Sequence, residues 1–209
     1  MIRVAPEGWP FIAVAWILVA VLAWFRLWPG LVLWIPIAVW VVAFFRDPIR
    51  RGPRGDDLIL APADGKVVSV IPIDEPAFVR GQATRVSIFM NVFDVHVNRY
   101  PSRGRVGYRH YMEGRFLNAA GEKASADNEQ SSVGLETPRG RILIRQIAGL
   151  VARRIVTDHA EGVEVAQGDR MGLIRFGSRV DVFLPAPAAA LVRPGDRTPA
   201  GLTVIGQWK

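Results

Sequence analysis

The stretch Met171-Gly-Leu-Ile-Arg-Phe-Gly-Ser-Arg-Val-Asp-Val-Phe-Leu-Pro185 is an apolar run with a Gly-Ser dipeptide at its centre. Its Val, Ile and Phe content predicts a strand over Leu173–Leu184. Alternate residues of a strand face the same side, and by this alternation Ser178 shares its side with the apolar residues of the run. We therefore expect its hydroxyl to point into the core and to need a hydrogen-bond partner there. Gly177 interrupts the strand and indicates a bulge or a close backbone approach.

Three chemical interpretations of Ser178 are open at this point. The plainest is a satisfied core hydroxyl in a bulged strand. A hydrolase nucleophile more typically occupies a G-x-S-x-G elbow, and that pattern does not occur around Ser178. A Gly-Ser bond also suits attack of the hydroxyl on the carbonyl of Gly177, because glycine leaves that carbonyl unhindered and tolerates unusual dihedral angles.

The composition restricts the class of protein. The chain has 209 residues, a net charge of +7 and no cysteine, which excludes disulfides, zinc–thiolate sites and iron–sulfur clusters. The length accommodates one soluble domain plus an attachment. The sequence contains no G-x-G-x-x-G, P-loop, H-E-x-x-H or EF-hand pattern, so we expect neither a metal nor a nucleic-acid partner.

The N-terminal residues 1–46 predict a membrane-associated helical hairpin. Two apolar stretches, Trp9 to Phe25 and Leu27 to Phe45, are separated by Arg26, the only charge between Glu7 and Arg46. At about 1.5 Å per residue each stretch covers roughly 25–28 Å, just enough to cross a hydrocarbon core. We favour two spans over the competing re-entrant or interfacial hairpin.

A basic segment follows the hairpin and predicts its orientation. It contains Arg46, Arg50, Arg51 and Arg54. By the positive-inside rule these residues hold the downstream domain on the cytoplasmic side of the cell (inner) membrane. They also attract an anionic membrane surface.

Residues 47–209 predict a β-rich catalytic domain. Short Val-, Ile- and Phe-rich runs bounded by turn residues indicate a mostly β fold, a sandwich or partly open barrel. The predicted strands are Lys66–Ile73, Arg85–Val92, Phe93–Tyr100, Arg105–Met112, Gly140–Ile147, Leu150–Val156 and Leu173–Leu184. One weak helix is predicted around Phe116–Asn128. The segment Gly162–Gly172 resembles the strand–turn–strand of lipoyl and biotinyl carrier domains (a hammerhead), without their lysine.

Candidate acid–base residues are few, because the chain has three histidines. Alternation over Phe93–Tyr100 places Asp94, His96 and Asn98 on one face, which is either a functional face or simply the solvent side. Asp64 lies in the turn Pro62-Ala-Asp-Gly65, where an aspartate ordinarily bonds its own backbone.

Several segments, in this order, resemble the short form of phosphatidylserine decarboxylase. They cover the chain from about Phe45 to Pro185, and the ordered set is specific. The segments are Phe45-Arg-Asp-Pro-Ile-Arg50, Ala61-Pro-Ala-Asp-Gly-Lys-Val67, Phe89-Met-Asn-Val-Phe-Asp-Val-His-Val-Asn-Arg-Tyr-Pro101, Lys123-Ala-Ser-Ala-Asp-Asn-Glu129, Gly149-Leu-Val-Ala-Arg-Arg-Ile155 and Gly172-Leu-Ile-Arg-Phe-Gly-Ser178.

The resemblance implies a proenzyme that cuts itself between Gly177 and Ser178. The products would be a β chain of residues 1–177 and an α chain of residues 178–209, which stay together as a heterodimer. Ser178 would become a covalent pyruvoyl group that forms a Schiff base with phosphatidylserine, so that phosphatidylethanolamine is released after loss of CO₂. The group takes the place of a diffusible cofactor.

The resemblance also assigns roles to individual residues. Asp64 matches an aspartate that activates the serine for self-cleavage, and His96 matches an active-site histidine linked to decarboxylation. Arg99 stands where longer members carry a second histidine, the proposed base for self-cleavage, so we hypothesise that His96 serves both steps. The rival interpretations are a membrane-tethered β-barrel adaptor and a membrane serine hydrolase that uses Ser178.

Overall fold

The computed structural model describes residues 2–114, 128–149, 154–175 and 178–209. The predicted helix around 116–128 and the beginning of the predicted strand 150–156 lie outside these ranges. The chain divides into two compact units, Met1–Ile49 and Arg50–Lys209.

The first unit contains the helices and two short strands. In chain order these elements are β1 (Ile2–Val4), a 3-10 turn (Pro6–Gly8), α1 (Trp9–Trp24), α2 (Trp28–Phe44) and β2 (Arg46–Pro48).

The second unit is built from strands. They are β3 (Leu58–Leu60), β4 (Gly65–Glu75), β5 (Gly81–Met90), β6 (Val97–Arg99), β7 (Gly104–Met112), β8 (Gln130–Thr137), β9 (Gly140–Ala148), β10 (Arg154–Thr157), β11 (Glu164–Val165), β12 (Arg170–Arg175), β13 (Ser178–Pro185), β14 (Ala188–Ala190), β15 (Arg197–Thr198) and β16 (Val204–Trp208).

The predicted helical hairpin is present as α1 and α2. Pro10 lies in the first turn of α1, where a missing N–H costs nothing. The helices reverse direction at Arg26, whose φ is 54°, and the indole of Trp34 donates to the carbonyl of Ala15 at 2.9 Å. At the opposite end β1 pairs antiparallel with β2, so both ends of the hairpin are joined by backbone hydrogen bonds.

The helices expose apolar surface. With its preceding turn, α1 forms a continuous segment Pro6–Trp24 of 19 residues and mean hydropathy 1.7, of which 11% is buried. By length and composition it is the one helix in the described ranges that is long enough to cross a membrane; α2 has 17 residues. Trp9, Trp24 and Trp28 at the helix ends are more than half exposed, as in an interfacial aromatic belt.

The second unit is organised around a curled eight-stranded antiparallel sheet, which confirms the mostly β prediction. The strand order is β11-β7-β8-β9-β13-β5-β4-β15. Two three-stranded sheets, β10-β12-β6 and β14-β16-β3, accompany it. β13 is therefore a central strand, and all eight of its residues are buried.

The main core packs against one face of the large sheet. On β13 that face carries Val180, Val182 and Leu184, and on β5 it carries Val86 and Ile88. A smaller apolar cluster on the other face includes Phe183 and Leu143. The alternation that placed Ser178 with the core residues is thus confirmed for β13.

The structure corrects two of the strand predictions. The run Leu173–Leu184 belongs to two strands of different sheets, because β12 pairs with β10 and β6 whereas β13 pairs with β5 and β9. The predicted strand Phe93–Tyr100 is reduced to β6, since residues 92–94 form a turn. That turn is held by the amide of Phe93, which donates to the side chain of Asn91 at 2.8 Å.

The carrier-like segment Gly162–Gly172 does form strand, turn and strand, as β11 and β12. Gly168 in the turn has a φ of 86°, a conformation that favours glycine. The turn is closed by the amide of Ala166, which donates to the carboxylate of Asp169 at 3.0 Å.

Candidate active site

Ser178 is the first residue of β13 and lies between two neighbouring strands. It pairs with Met90 of β5 on one side and with Ala148 of β9 on the other. The residue is fully buried, and its hydroxyl donates to the Met90 sulfur at 3.5 Å. The expected inward hydroxyl is confirmed. Gly177 lies outside the described residues, as does Phe176.

His96 lies immediately before β6 and is fully buried, so it does not face solvent. β6 pairs with β12, the strand that leads toward Ser178, and the amide of Ile174 donates to the carbonyl of His96 at 3.4 Å. The fold therefore holds His96 beside the segment that precedes Ser178.

The hydrogen bond of the His96 ring selects its tautomer. Nδ1 lies 3.0 Å from the carbonyl oxygen of Asp94, which accepts and cannot donate. Nδ1 must therefore carry a proton, and in the neutral ring Nε2 is then the basic nitrogen. This is the tautomer that a general base requires.

Asp64 does not bond its own turn, contrary to ordinary Asp-Gly turn chemistry. One carboxylate oxygen accepts from the guanidinium of Arg50 at 2.7 Å, and the other accepts from the amide of Ala200 at 2.7 Å. The Arg50 and Asp64 side chains are 14% and 17% exposed, so this ion pair is largely shielded from water. The carboxylate joins two segments that are distant in sequence.

A small cleft of about 90 Å³ lies beside Asp64. Its lining includes Asp64, Asp94 and Arg197. Arg197 and Asp94 form an ion pair of 2.9 Å, and the carbonyl of the same Asp94 accepts from His96. Asp64 therefore lines the cleft directly, whereas His96 is connected to it only through its hydrogen bond to Asp94.

Asp64 and Ser178 lie on opposite sides of β5. Lys66, near the start of β4, pairs with Phe89, whereas Ser178 pairs with Met90. Two strand spacings amount to about 10 Å. Among the described residues the Asp64 carboxylate accepts from Arg50 and Ala200 and the Ser178 hydroxyl donates to Met90, so the two side chains are not directly hydrogen-bonded.

Arg99 occupies the position at which the resemblance would place a second histidine. Its side chain points toward a turn. Its guanidinium donates to the carbonyl of Gly168 at 3.1 Å. Arg54 of the basic segment similarly donates to the carbonyl of Gly201 at 3.0 Å, and Arg50 pairs with Asp64. Parts of the segment predicted to attract the membrane thus also brace the second unit.

Another histidine takes part in a separate contact. His159 Nδ1 lies 3.2 Å from the hydroxyl of Tyr100. Burial disfavours the tyrosinate and raises the pKa of Tyr100 to about 12. Within the described part of the chain no hydrogen bond or ring contact joins this pair to Ser178, so we do not place it in the candidate site.

Two buried residues near Ser178, Met90 and Gln146, were not among the candidates from the sequence; Asn98, which the alternation placed on one face with His96, is fully buried and so does not face solvent. The Asn98 amide donates to the Met90 sulfur at 3.7 Å, and the Gln146 amide donates to the Asn98 oxygen at 2.8 Å. A signal was available for Gln146, which is a polar residue inside the apolar run of β9 and must find a partner there.

Comparisons with known proteins agree with the resemblance. The family model described as Phosphatidylserine decarboxylase matches residues 37–206. A curated relative from Symbiobacterium thermophilum, described as "Phosphatidylserine decarboxylase proenzyme", is 51% identical over 205 residues, which is 98% of this chain and 95% of the relative.

Proposed function

The chain belongs to the phosphatidylserine decarboxylase family, and from that membership we propose that it is a proenzyme that decarboxylates phosphatidylserine to phosphatidylethanolamine at a membrane. The observation that carries this proposal is the family match, which includes Gly177 and Ser178. The burial of Ser178 at the start of a central strand supports it, because a reactive group at that position is shielded from water.

We propose that activation is self-cleavage between Gly177 and Ser178. The Ser178 oxygen bonds to the Gly177 carbonyl carbon, the C–N bond breaks, and the hydroxyl proton passes to the freed amine. Loss of the Ser178 Cα proton then expels that oxygen as part of the Gly177 carboxylate and leaves dehydroalanine. Water then hydrolyses the dehydroalanine. Its nitrogen leaves as ammonia, and a pyruvoyl group remains in front of Arg179.

The residues around Ser178 fit such a group. A pyruvoyl group is no larger than serine, and its methyl would replace the CH₂OH that now faces the soft Met90 sulfur at 3.5 Å. Strand pairing with Met90 and Ala148 would hold the following amide in place. When formed, the group supplies the electron sink that decarboxylation requires.

His96 is the proposed general base and proton carrier. The protonated Nδ1 at Asp94 supports this role, because it makes Nε2 the nitrogen that accepts and returns a proton. Asp64 would act on Ser178 indirectly, by way of Asp94 and His96. Asp64 and Asp94 line one cleft, and the Asp94 carbonyl accepts a hydrogen bond from His96, which supports this route. Ser178, His96 and Asp64 are thus proposed as one site.

The hairpin is proposed to bring the site to its substrate. A lipid with two long chains leaves a bilayer at high cost, so the enzyme must reach the headgroup at the surface. The exposed apolar faces of α1 and α2 supply the anchor. We propose that the catalytic unit lies on the cytoplasmic side of the inner membrane; the basic residues after the hairpin support this by the positive-inside rule, and each exposed one adds about 1 kcal/mol of attraction to anionic lipid.

The decisive experiment is intact-mass spectrometry of the purified full-length protein. We expect two chains, the smaller of 32 residues (209 − 177) with a pyruvoyl group in place of an N-terminal serine. Ser178→Ala should yield one uncut chain without decarboxylase activity on phosphatidylserine vesicles. Full activity from an uncut wild-type chain would overturn the proposal.

The role of His96 is tested by His96→Ala, with phosphatidylethanolamine formed per mole of α chain as the readout. This normalisation separates decarboxylation from cleavage. We expect decarboxylation per α chain to fall by at least about a hundredfold, the usual contribution of a positioned acid–base group. Unchanged turnover per α chain would remove His96 from the decarboxylation step.

A further inference from the structure

Two hydrogen-bond donors converge on the sulfur of Met90. The Ser178 hydroxyl lies 3.5 Å from it and the Asn98 amide nitrogen 3.7 Å. All three residues are fully buried. The amide nitrogen of Asn98 is therefore at most about 7 Å from the Ser178 oxygen, the sum of these two distances. Since a thioether is a weak acceptor, the Ser178 hydroxyl loses little when it turns from the sulfur toward a carbonyl.

A directed chain of hydrogen bonds orients the Asn98 amide. Gln146 donates its amide to the Asn98 oxygen at 2.8 Å, and its own oxygen accepts from the Thr157 hydroxyl at 3.0 Å. Because the Thr157 proton is used there, Ser131, 2.9 Å away, must donate to Thr157. With its oxygen occupied by Gln146, Asn98 turns its N–H group toward Met90 and Ser178.

The chain crosses four strands and the core face of the large sheet. Asn98 comes from β6, Thr157 from β10, Gln146 from β9 and Ser131 from β8. Buried polar groups cost free energy unless each one is satisfied, and a fully satisfied network makes the core around it rigid and specific. What the network adds over apolar side chains is a fixed direction for the Asn98 donor.

We propose that Asn98, oriented by Gln146, is a positioning residue for self-cleavage that fixes the Met90 sulfur and with it the direction of the Ser178 hydroxyl. The inference rests on the proposed self-cleavage at Gly177–Ser178. In that step the Ser178 oxygen bonds to the Gly177 carbonyl carbon, and its proton passes to the nitrogen that leaves. Asn98 and Gln146 exchange no atom with the substrate; they limit the orientations from which the attack begins.

Asn98→Asp tests the donor without changing the shape of the side chain. An ionised carboxylate still accepts from Gln146 but has no proton to offer Met90, whereas a protonated one donates an O–H. We expect cleavage at about pH 8 to be roughly tenfold slower than in wild type, the effect of one lost hydrogen bond. The ratio of mutant to wild-type rate should recover as the pH falls, beginning above the ordinary carboxyl pKa because burial raises it.

Gln146→Leu tests the orientation, because it releases the Asn98 amide. Like Asn98→Asp, this variant should cleave more slowly than wild type. Its rate relative to wild type should not recover at low pH. Ser132→Ala is the control. Ser132 is buried on β8 next to Ser131 of the network, but its side chain faces the other side of the sheet, where it accepts from Arg145 at 3.2 Å. Cleavage in this control should proceed at the wild-type rate. Thermal melting of each uncut protein, in the Ser178→Ala background, identifies variants that fail to fold.

The outcomes separate this inference from the proposed function. If wild type does not cleave, the proposed function fails. If wild type cleaves and folded Asn98→Asp and Gln146→Leu both cleave at its rate, the positioning role is overturned and the function stands. Slow cleavage by Asn98→Asp without relative recovery at low pH would also overturn the role, because a merely structural defect has no such pH profile.

Discussion

The carboxylate of Asp64 accepts the amide N–H of Ala200 at 2.7 Å, and these two residues lie on opposite sides of the proposed cleavage point. The contact is one of many across that point. β13 pairs with β5 and β9, β15 pairs with β4, and β16 pairs with β3. Cutting one bond before Ser178 leaves all of these interactions in place.

We therefore expect the α and β chains to remain together after cleavage. On size exclusion in mild detergent, the cleaved protein should elute with the uncut Ser178→Ala variant, and the 32-residue chain should separate only in denaturant. Loss of the α chain on a native column would show that the strand pairings do not suffice.

The Arg50–Asp64 ion pair allows the charge of Asp64 to be separated from its tether. Asp64→Asn keeps an oxygen for the Ala200 amide but loses the negative charge, whereas Arg50→Gln keeps the carboxylate. We expect Asp64→Asn to block self-cleavage and Arg50→Gln to cleave within about tenfold of wild type, because Arg50→Gln leaves the negative charge and its hydrogen bond from Ala200 in place. The rate of α-chain appearance is the measurement.

Equal loss of cleavage in both variants would instead assign Asp64 a tethering role. Each variant is expected to lose about 1–3 kcal/mol of unfolding free energy, the usual cost of leaving one partner of a shielded polar contact unsatisfied. Chemical denaturation in the Ser178→Ala background measures that loss separately from cleavage.

The membrane topology of the hairpin can be tested by cysteine labelling, because the chain itself has no cysteine. A single cysteine at the helical turn, Arg26→Cys, and one at an exposed position of the basic segment, Arg51→Cys, report which side each occupies. For two spans we expect a membrane-impermeant maleimide to label Arg26→Cys from outside spheroplasts and Arg51→Cys only after lysis. Labelling of both from the same side would favour the re-entrant hairpin.

Tyr100 gives a pH signature of the folded second unit. Its folded pKa of about 12 exceeds the unfolded value of about 10. Its contribution to the free energy of unfolding is therefore complete below pH 10 and is lost as the pH rises from about 10 to about 12. The hydrogen bond to Glu129 also raises the pKa of Tyr111, so tyrosinate absorbance is compared between Tyr100→Phe and Tyr111→Phe. Only Tyr100→Phe should remove the group that titrates at about pH 12; an unchanged titration in that variant would indicate that the Tyr100 hydroxyl is hydrated.

Local patterns predicted the features that depend on local chemistry. The two apolar stretches predicted α1 and α2, and strand parity predicted the buried hydroxyl of Ser178. The alternation of Phe93 to His96 failed because turn chemistry competes with strand pairing. The Asn91 amide donates to the Asp94 carboxylate at 3.0 Å, and the side chain of Asn91 accepts from Phe93.

Features that depend on distant strands were not predictable. β8, Gln130–Thr137, has few strand-forming residues but is paired on both sides, by β7 and β9. A Cβ at Gly134 would lie 2.7 Å from the ring of Phe78, a contact that cannot be read from either segment alone. The Asn98–Gln146 contact likewise requires the register of separate strands, which emerges only in the assembled sheet.

The central position of β13 has a consequence for the timing of activation. Met90, which the Ser178 hydroxyl contacts, is 88 residues earlier in the chain, and Ala148 is on a different strand again. Pairings between segments so distant in sequence form slowly, because the long intervening loops must first be closed. The proposed self-cleavage would then occur only in molecules that have formed these pairings, and the α chain would be a molecular record of completed folding.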